Sequence, residues 1–231
     1  MKRLYEKNLL TFALVWIGIY VVGMSVLDSL HTAAAALGAA GGSVFLALWL
    51  KQNDLLAKFG LRRGVLPAVW YIPLVILTLG NLWNGVVIHT GIAETVFFVI
   101  KMLGVGFLEE LIFRGFLFRA MEKDSLPWAI AVSSVTFGVG HIVNLVNGSG
   151  MGLTENLIQI VCAAAIGFTY VTVFLRGKSL LPCIASHGIF NSLSLFGRDG
   201  QPATELPVRL ALCLLAVGYA VALYRKKEKQ A

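Results

Sequence analysis

Residues 106–119 read GFLEELIFRGFLFR, and inside this apolar run stand Glu109, Glu110 and Arg114. At about 100° per residue, Glu110 and Arg114 share one helix face, whereas Glu109 is rotated well away from Arg114. The first two can pair and offset each other's burial. Glu109 is the carboxylate left over, free to point into a cavity. An ionised side chain at mid-bilayer costs at least roughly 2.5–3.5 kcal/mol, so such groups persist where they are paired, wet or needed. The plain alternative is a surface ion pair at the cytoplasmic end of a helix.

Two later segments offer more polar groups. His141 follows Phe137 by one helical turn in SSVTFGVGHIVNL, and His187 precedes Asn191 by one turn in LLPCIASHGIFNSLSLF. Each pair presents to one side of its helix. Taken singly, an intramembrane His is often a hydrogen-bonded core residue, and a His–Asn pair can be an interhelical bond worth on the order of 1 kcal/mol. Together the three segments supply a carboxylate and two imidazoles that can polarise a water, and an amide that can donate to a developing oxyanion. Those are the parts needed to hydrolyse a peptide bond without a covalent intermediate.

The elements that must position these groups are membrane helices. The chain is 58% hydrophobic and 13% charged over 231 residues, where a soluble domain is about half apolar and a quarter charged. This composition predicts one integral-membrane domain over residues 1–231, all-α, a polytopic bundle of about eight spans near 9–27, 32–50, 65–87, 92–118, 127–146, 155–175, 180–196 and 207–224, with the motif core in 92–196. The run at 9–27 is too long for a signal-peptide core and is read as the first span. Period-two alternation, the mark of a barrel strand, is missing.

The net charge of +7 sits in short loops rather than in a basic patch with interleaved aromatics, so it is a topology signal and no nucleic-acid partner is expected. Lys and Arg cluster at the N-terminus (Lys2, Arg3, Lys7), at Lys51, Lys58, Arg62 and Arg63, at Arg114, Arg119 and Lys123, at Arg176 and Lys178, and at the C-terminus (Arg225, Lys226, Lys227, Lys229), while the intervening loops carry few. That alternation predicts both termini on the cytoplasmic side. If the fourth span starts at Ile92, Glu109 lies toward that side, and His141 lies about 20 Å along the fifth span. The two then meet only if the fourth segment tilts or starts later.

Several positions invite simpler readings. Gly38 and Gly42 have the G-x-x-x-G spacing of close helix packing. Asn81 and Asn84 line a cavity or bond another helix, Asn144 and Asn147 are interfacial, and Lys101 snorkels or pairs. Cys162, Cys183 and Cys213 have no second Cys nearby in sequence and read as small buried residues.

The motifs E-E-x-x-x-R at 109–114, F-x-x-x-H at 137–141 and H-x-x-x-N at 187–191 resemble, in order and spacing, those of the CPBP (Abi) intramembrane proteases, a family that includes the type II CAAX prenyl endopeptidases. The resemblance implies an eight-helix bundle with its site inside the bilayer and a membrane-associated, CAAX-like or prenylated peptide as substrate. Carried onto this chain, it makes Glu109 the base that activates water, with His141 assisting. His187 and Asn191 then stabilise the oxyanion, and Glu110, Arg114 and Phe137 support the site. No cofactor is favoured. The alternative is one divalent metal, zinc by donor type, on Glu109, His141 and His187 with an open position, though there is no H-E-x-x-H. Two other functions fit less well: a non-catalytic immunity or assembly protein on the same scaffold, and a proton-relaying transporter, for which the expected internal repeat is missing.

Overall fold

The computed structural model describes residues 1–226 apart from 89, 146–149, 151 and 199, with backbone alone at 202 and 203. Asn147, Lys227 and Lys229 lie outside the described residues. The helices are α1 (Lys2–Lys7), α2 (Leu9–Leu30), α3 (Thr32–Gln52), α4 (Ile72–Thr78), α5 (Ile92–Glu109), α6 (Arg119–Met121), α7 (Leu126–Gly140), α8 (Leu153–Gly177), α9 (Leu181–Leu193) and α10 (Pro202–Arg225). A π-helical segment, Glu110–Phe118, joins α5 to α6 without a break.

Caps punctuate the apolar runs. The Asn8 side chain accepts from the Thr11 amide at 2.8 Å and starts α2. One extended residue, His31, separates α2 from α3, and its ring accepts from the Ala33 amide at 3.1 Å.

The all-α membrane bundle expected from composition is what the chain forms, but not with eight equal crossings. Five helical stretches are long and apolar enough to span a bilayer: Leu9–Leu30, Thr32–Gln52, Leu126–Leu145, Leu153–Gly177 and Thr204–Arg225. The predicted span at 65–87 is instead a short apolar helix, Ala68–Thr78, followed by a turn. Pro67 and Pro73 punctuate its start, and Asn81, Asn84 and Gly85 at its end favour turns over helix. The segment predicted at 180–196 is helical only over Leu181–Leu193 and is too short to cross alone. Loops after α4 and α9 clasp each other through a bridge between Val86 and Gly197, with the Val87 amide donating to the Phe196 carbonyl at 2.9 Å.

The continuous helix from Ile92 to Met121 is the axis of the bundle, packed on α2, α3, α7 and α9. It starts at Ile92 and continues for 12 residues beyond Glu109, roughly 15 Å at a helical rise, so Glu109 sits mid-helix. His141 caps the C-terminal end of α7.

Backbones approach most closely where the central helix has no side chain. A Cβ on Gly104 would lie 2.9 Å from the Ala39 carbonyl carbon of α3, and one on Gly106 would lie 2.6 Å from the Gly188 amide nitrogen of α9. Gly38 and Gly42, expected to bring two helix backbones together, do something else: Gly38 accommodates the Leu27 side chain and Gly42 faces Leu108. Phe12, Leu46, Leu50, Phe59, Leu111, Ile112 and Phe116 fill the main core beside this axis.

Candidate functional site

The π-helical segment carries the buried polar cluster. Its wider π turns are of a kind often found at functional sites. The Phe113 carbonyl within it accepts a 2.8 Å bond from the Ser133 hydroxyl of α7, giving a backbone acceptor in this irregular stretch a side-chain partner.

Glu110 and Arg114 are fully buried and paired, Arg114 Nη1 donating to Glu110 Oε1 at 3.1 Å. The guanidinium also lies over two aromatic faces, 4.1 Å from the Phe137 ring and 5.6 Å from the Tyr170 ring. Such desolvated cation–π contacts are worth about 2 kcal/mol. They matter here because Arg114 Nε and Nη2 find no hydrogen-bond acceptor.

His187 stands between the two glutamates. Its Nδ1 lies 2.8 Å from Glu110 Oε1 and its Nε2 lies 3.4 Å from Glu109 Oε2. The first contact requires Nδ1–H, because an ionised carboxylate only accepts. Nε2 is thereby turned to Glu109. The ring is held edge-to-face by Phe137 at 5.6 Å and lies 5.8 Å from Tyr170.

Glu109 is the less buried acid, its side chain 15% exposed. Its Oε1 accepts from the Tyr20 hydroxyl of α2 at 2.5 Å. Phe113, one turn further along, meets Phe137 edge-to-face at 5.5 Å, and Phe137 meets His141 at 5.3 Å. Phe137 is thus the hub joining Arg114, His187 and His141. His141 Nδ1 lies 3.1 Å from the Phe137 carbonyl, which only accepts, so Nδ1 is the donor in this contact. The His141 carbonyl in turn accepts from the buried Asn156 amide of α8 at 2.8 Å.

These groups line one cavity of about 670 Å³ that includes Tyr20, Glu109, Phe137, His141, His187 and Asn191. The Asn191 carboxamide makes no hydrogen bond to another described residue and is available to the cavity. All four residues singled out for chemistry line this one cavity together with Phe137, and Glu110 and Arg114 are buried beside it.

Other expectations divide. Asn81 both lines the cavity and donates to the Phe190 carbonyl at 2.6 Å. Lys101 pairs with Asp28 at 2.8 Å. Asn144, expected at the interface, instead lines the cavity and donates to Gln159 at 2.9 Å. Cys162 and Cys213 are neighbours after all, their sulfurs 2.6 Å apart across α8 and α10 as free thiols; a sequence separation of 51 hid this. Tyr20 and Asn156 join the site from outside the motifs. A Tyr in the first span and an Asn early in α8 carry no spacing motif, so only the fold reveals them.

The metal alternative requires three donors in one group. Among the described residues no three His, Cys, Asp or Glu side chains are grouped closely enough to hold an ion. Glu109 and His187 converge, but His141 does not close the set with them.

Residues 91–193 match the family model described as Rce1-like: type II CAAX prenyl endopeptidase Rce1-like. The matched stretch, a little under half the chain, runs from the start of α5 to the end of α9 and contains every motif residue. No curated protein and no solved structure matches the chain.

Proposed function

We propose that this chain, whose residues 91–193 match the Rce1-like model, is an intramembrane endopeptidase of the CPBP (Abi) type that cleaves a membrane-associated peptide with a glutamate-activated water. The observation that carries this reading is His187 held between Glu109 and Glu110 in a cavity that also holds His141 and Asn191.

Each residue's part follows from its surroundings. Glu109 accepts the proton of a water as it attacks the scissile carbonyl. His141, its Nδ1 held at the Phe137 carbonyl, turns Nε2 to the same water and helps to orient it. His187, its Nδ1 fixed by Glu110, turns Nε2 to the oxygen that becomes negative, and Asn191, one turn along the same helix face, offers its amide. The proton taken by Glu109 then passes to the leaving amine. Arg114 neutralises Glu110, so that Glu110 orients His187 without adding net charge.

A cavity within the bilayer suits a substrate that arrives by lateral diffusion, and a CAAX-like or prenylated C-terminus is the proposed class. Both termini of the protein are proposed to face the cytoplasm. The test is incubation of the purified protein, in liposomes, with a library of membrane-anchored peptides, with and without chelator. Defined cleavage products that disappear with Glu109→Gln support the reading; products unchanged by that substitution overturn it.

A further inference from the structure

We infer that Tyr20, on the first membrane span, is the positioning residue for the Glu109 carboxylate. The inference rests on the reading of Glu109 as the proton acceptor and deepens it. Tyr20 lies outside the matched stretch 91–193, and no motif in the sequence points to it.

A carboxylate used as a base must offer one defined oxygen to its water. The Glu109 side chain ends on a flexible stem, and nothing within its own helix fixes it: the neighbouring Arg114 is engaged by Glu110. The Tyr20 hydroxyl donates to Oε1 at 2.5 Å, while Oε2 faces His187 Nε2 at 3.4 Å. The phenol therefore assigns the two oxygens different tasks. Oε1 is the anchor, and Oε2 is turned to the cavity and the imidazole. Burying a Tyr hydroxyl in a membrane helix requires a partner, and here the partner is the one carboxylate that the Glu110–Arg114 pair leaves unclaimed.

The phenol itself is well placed to be rigid. Tyr20 packs against the main core together with Trp16, Ile17 and Met24 of the same helix, and α2 lies along the π-helical segment that follows Glu109. Two torsions separate a phenol oxygen from the backbone, so such a donor holds its acceptor at little entropic cost. The arrangement also makes α2, otherwise a generic span, part of the reaction geometry: a shift of α2 against the central helix would swing Oε2 away from His187.

The test uses the full chain in liposomes and has two arms. In the first, dicyclohexylcarbodiimide, a lipid-soluble carboxyl reagent, probes Glu109 without any substrate. Peptide mapping by mass spectrometry should show Glu109 modified several-fold faster in Tyr20→Phe than in the wild type, because the phenol no longer occupies Oε1, with Glu110 unchanged. In the second, a library peptide cleaved by the wild type is used to measure kcat and KM. Tyr20→Phe should lower kcat about 10²-fold, the scale of a roughly 1 Å misplacement of a reacting group, and leave KM within about twofold. If Tyr20→Phe folds poorly, 2,3,5-trifluorotyrosine installed at position 20 keeps the shape and changes only the hydroxyl's acidity; the acidic limb of its kcat–pH profile should then be displaced. Equal labelling together with wild-type kcat in Tyr20→Phe, or a superimposable profile with the fluorinated residue, would overturn the inference. Failure of the underlying function reads differently: Glu109→Gln would cleave like the wild type, whatever Tyr20→Phe does to labelling.

Discussion

Gly106 and Gly188 face each other where two helix backbones nearly touch, leaving no space for a single added carbon: a Cβ at Gly106 would lie 2.6 Å from the Gly188 nitrogen. This approach sets the distance between Glu109 and Glu110, just beyond Gly106, and His187, just before Gly188. Gly106→Ala should therefore push α9 off the central helix, costing about 1–3 kcal/mol as overpacking does. It should also lower activity by more than the lost folded fraction explains. Gly18→Ala, at a glycine with nothing within 4 Å, is the control. Thermal unfolding in detergent, with activity per folded molecule, separates the two effects.

The Glu110–Arg114 pair should behave as a buried ion pair. Glu110→Leu leaves the Arg114 guanidinium uncompensated and should cost about 3–5 kcal/mol, while the double change Glu110→Leu/Arg114→Met should recover much of that stability. Activity should not return in the double variant, because His187 Nδ1 has lost the acceptor that fixes its orientation. Denaturant or thermal melts alongside a cleavage assay check both halves.

The central cluster was more legible in sequence than the scaffold was. Glu110 with Arg114, Phe137 with His141 and His187 with Asn191 each lie four apart, so helix periodicity alone put each pair on one face, and Glu109 was the acid left over. The length of the apolar run at 65–87 suggested a crossing, but run length does not register the prolines and Asn–Gly turns that break it into Ala68–Thr78 and a loop. The span at 92–118 was legible as one apolar run, but its change to π turns over Glu110–Phe118 and its extension to Met121 carry no signal in sequence periodicity. Long-range partners such as Tyr20 on Glu109 and Cys162 beside Cys213 depend on tertiary packing and leave no local pattern.

Asn191→Ala should leave folding intact, since the carboxamide makes no hydrogen bond to another described residue. It should lower kcat about 10²–10³-fold, the cost of removing one oxyanion donor, with little change in KM. A proportional loss of binding instead would assign Asn191 to substrate recognition.

Chelation gives an independent handle. Because Glu109, His141 and His187 do not close into a three-donor group among the described residues, cleavage by the purified protein should survive 1,10-phenanthroline and EDTA. Loss of activity with chelator, restored by added zinc, would show that His141 swings in to complete a metal site and would reassign Glu109 from base to ligand.

The most direct measurement compares wild type and Glu109→Gln, reconstituted in liposomes at equal folded concentration, cleaving the same membrane-anchored peptide. The amide keeps the size of the side chain and can still accept from Tyr20, but it cannot take a proton from water. The account predicts defined products from the wild type and none above background from Glu109→Gln. Equal cleavage by the two proteins would contradict it.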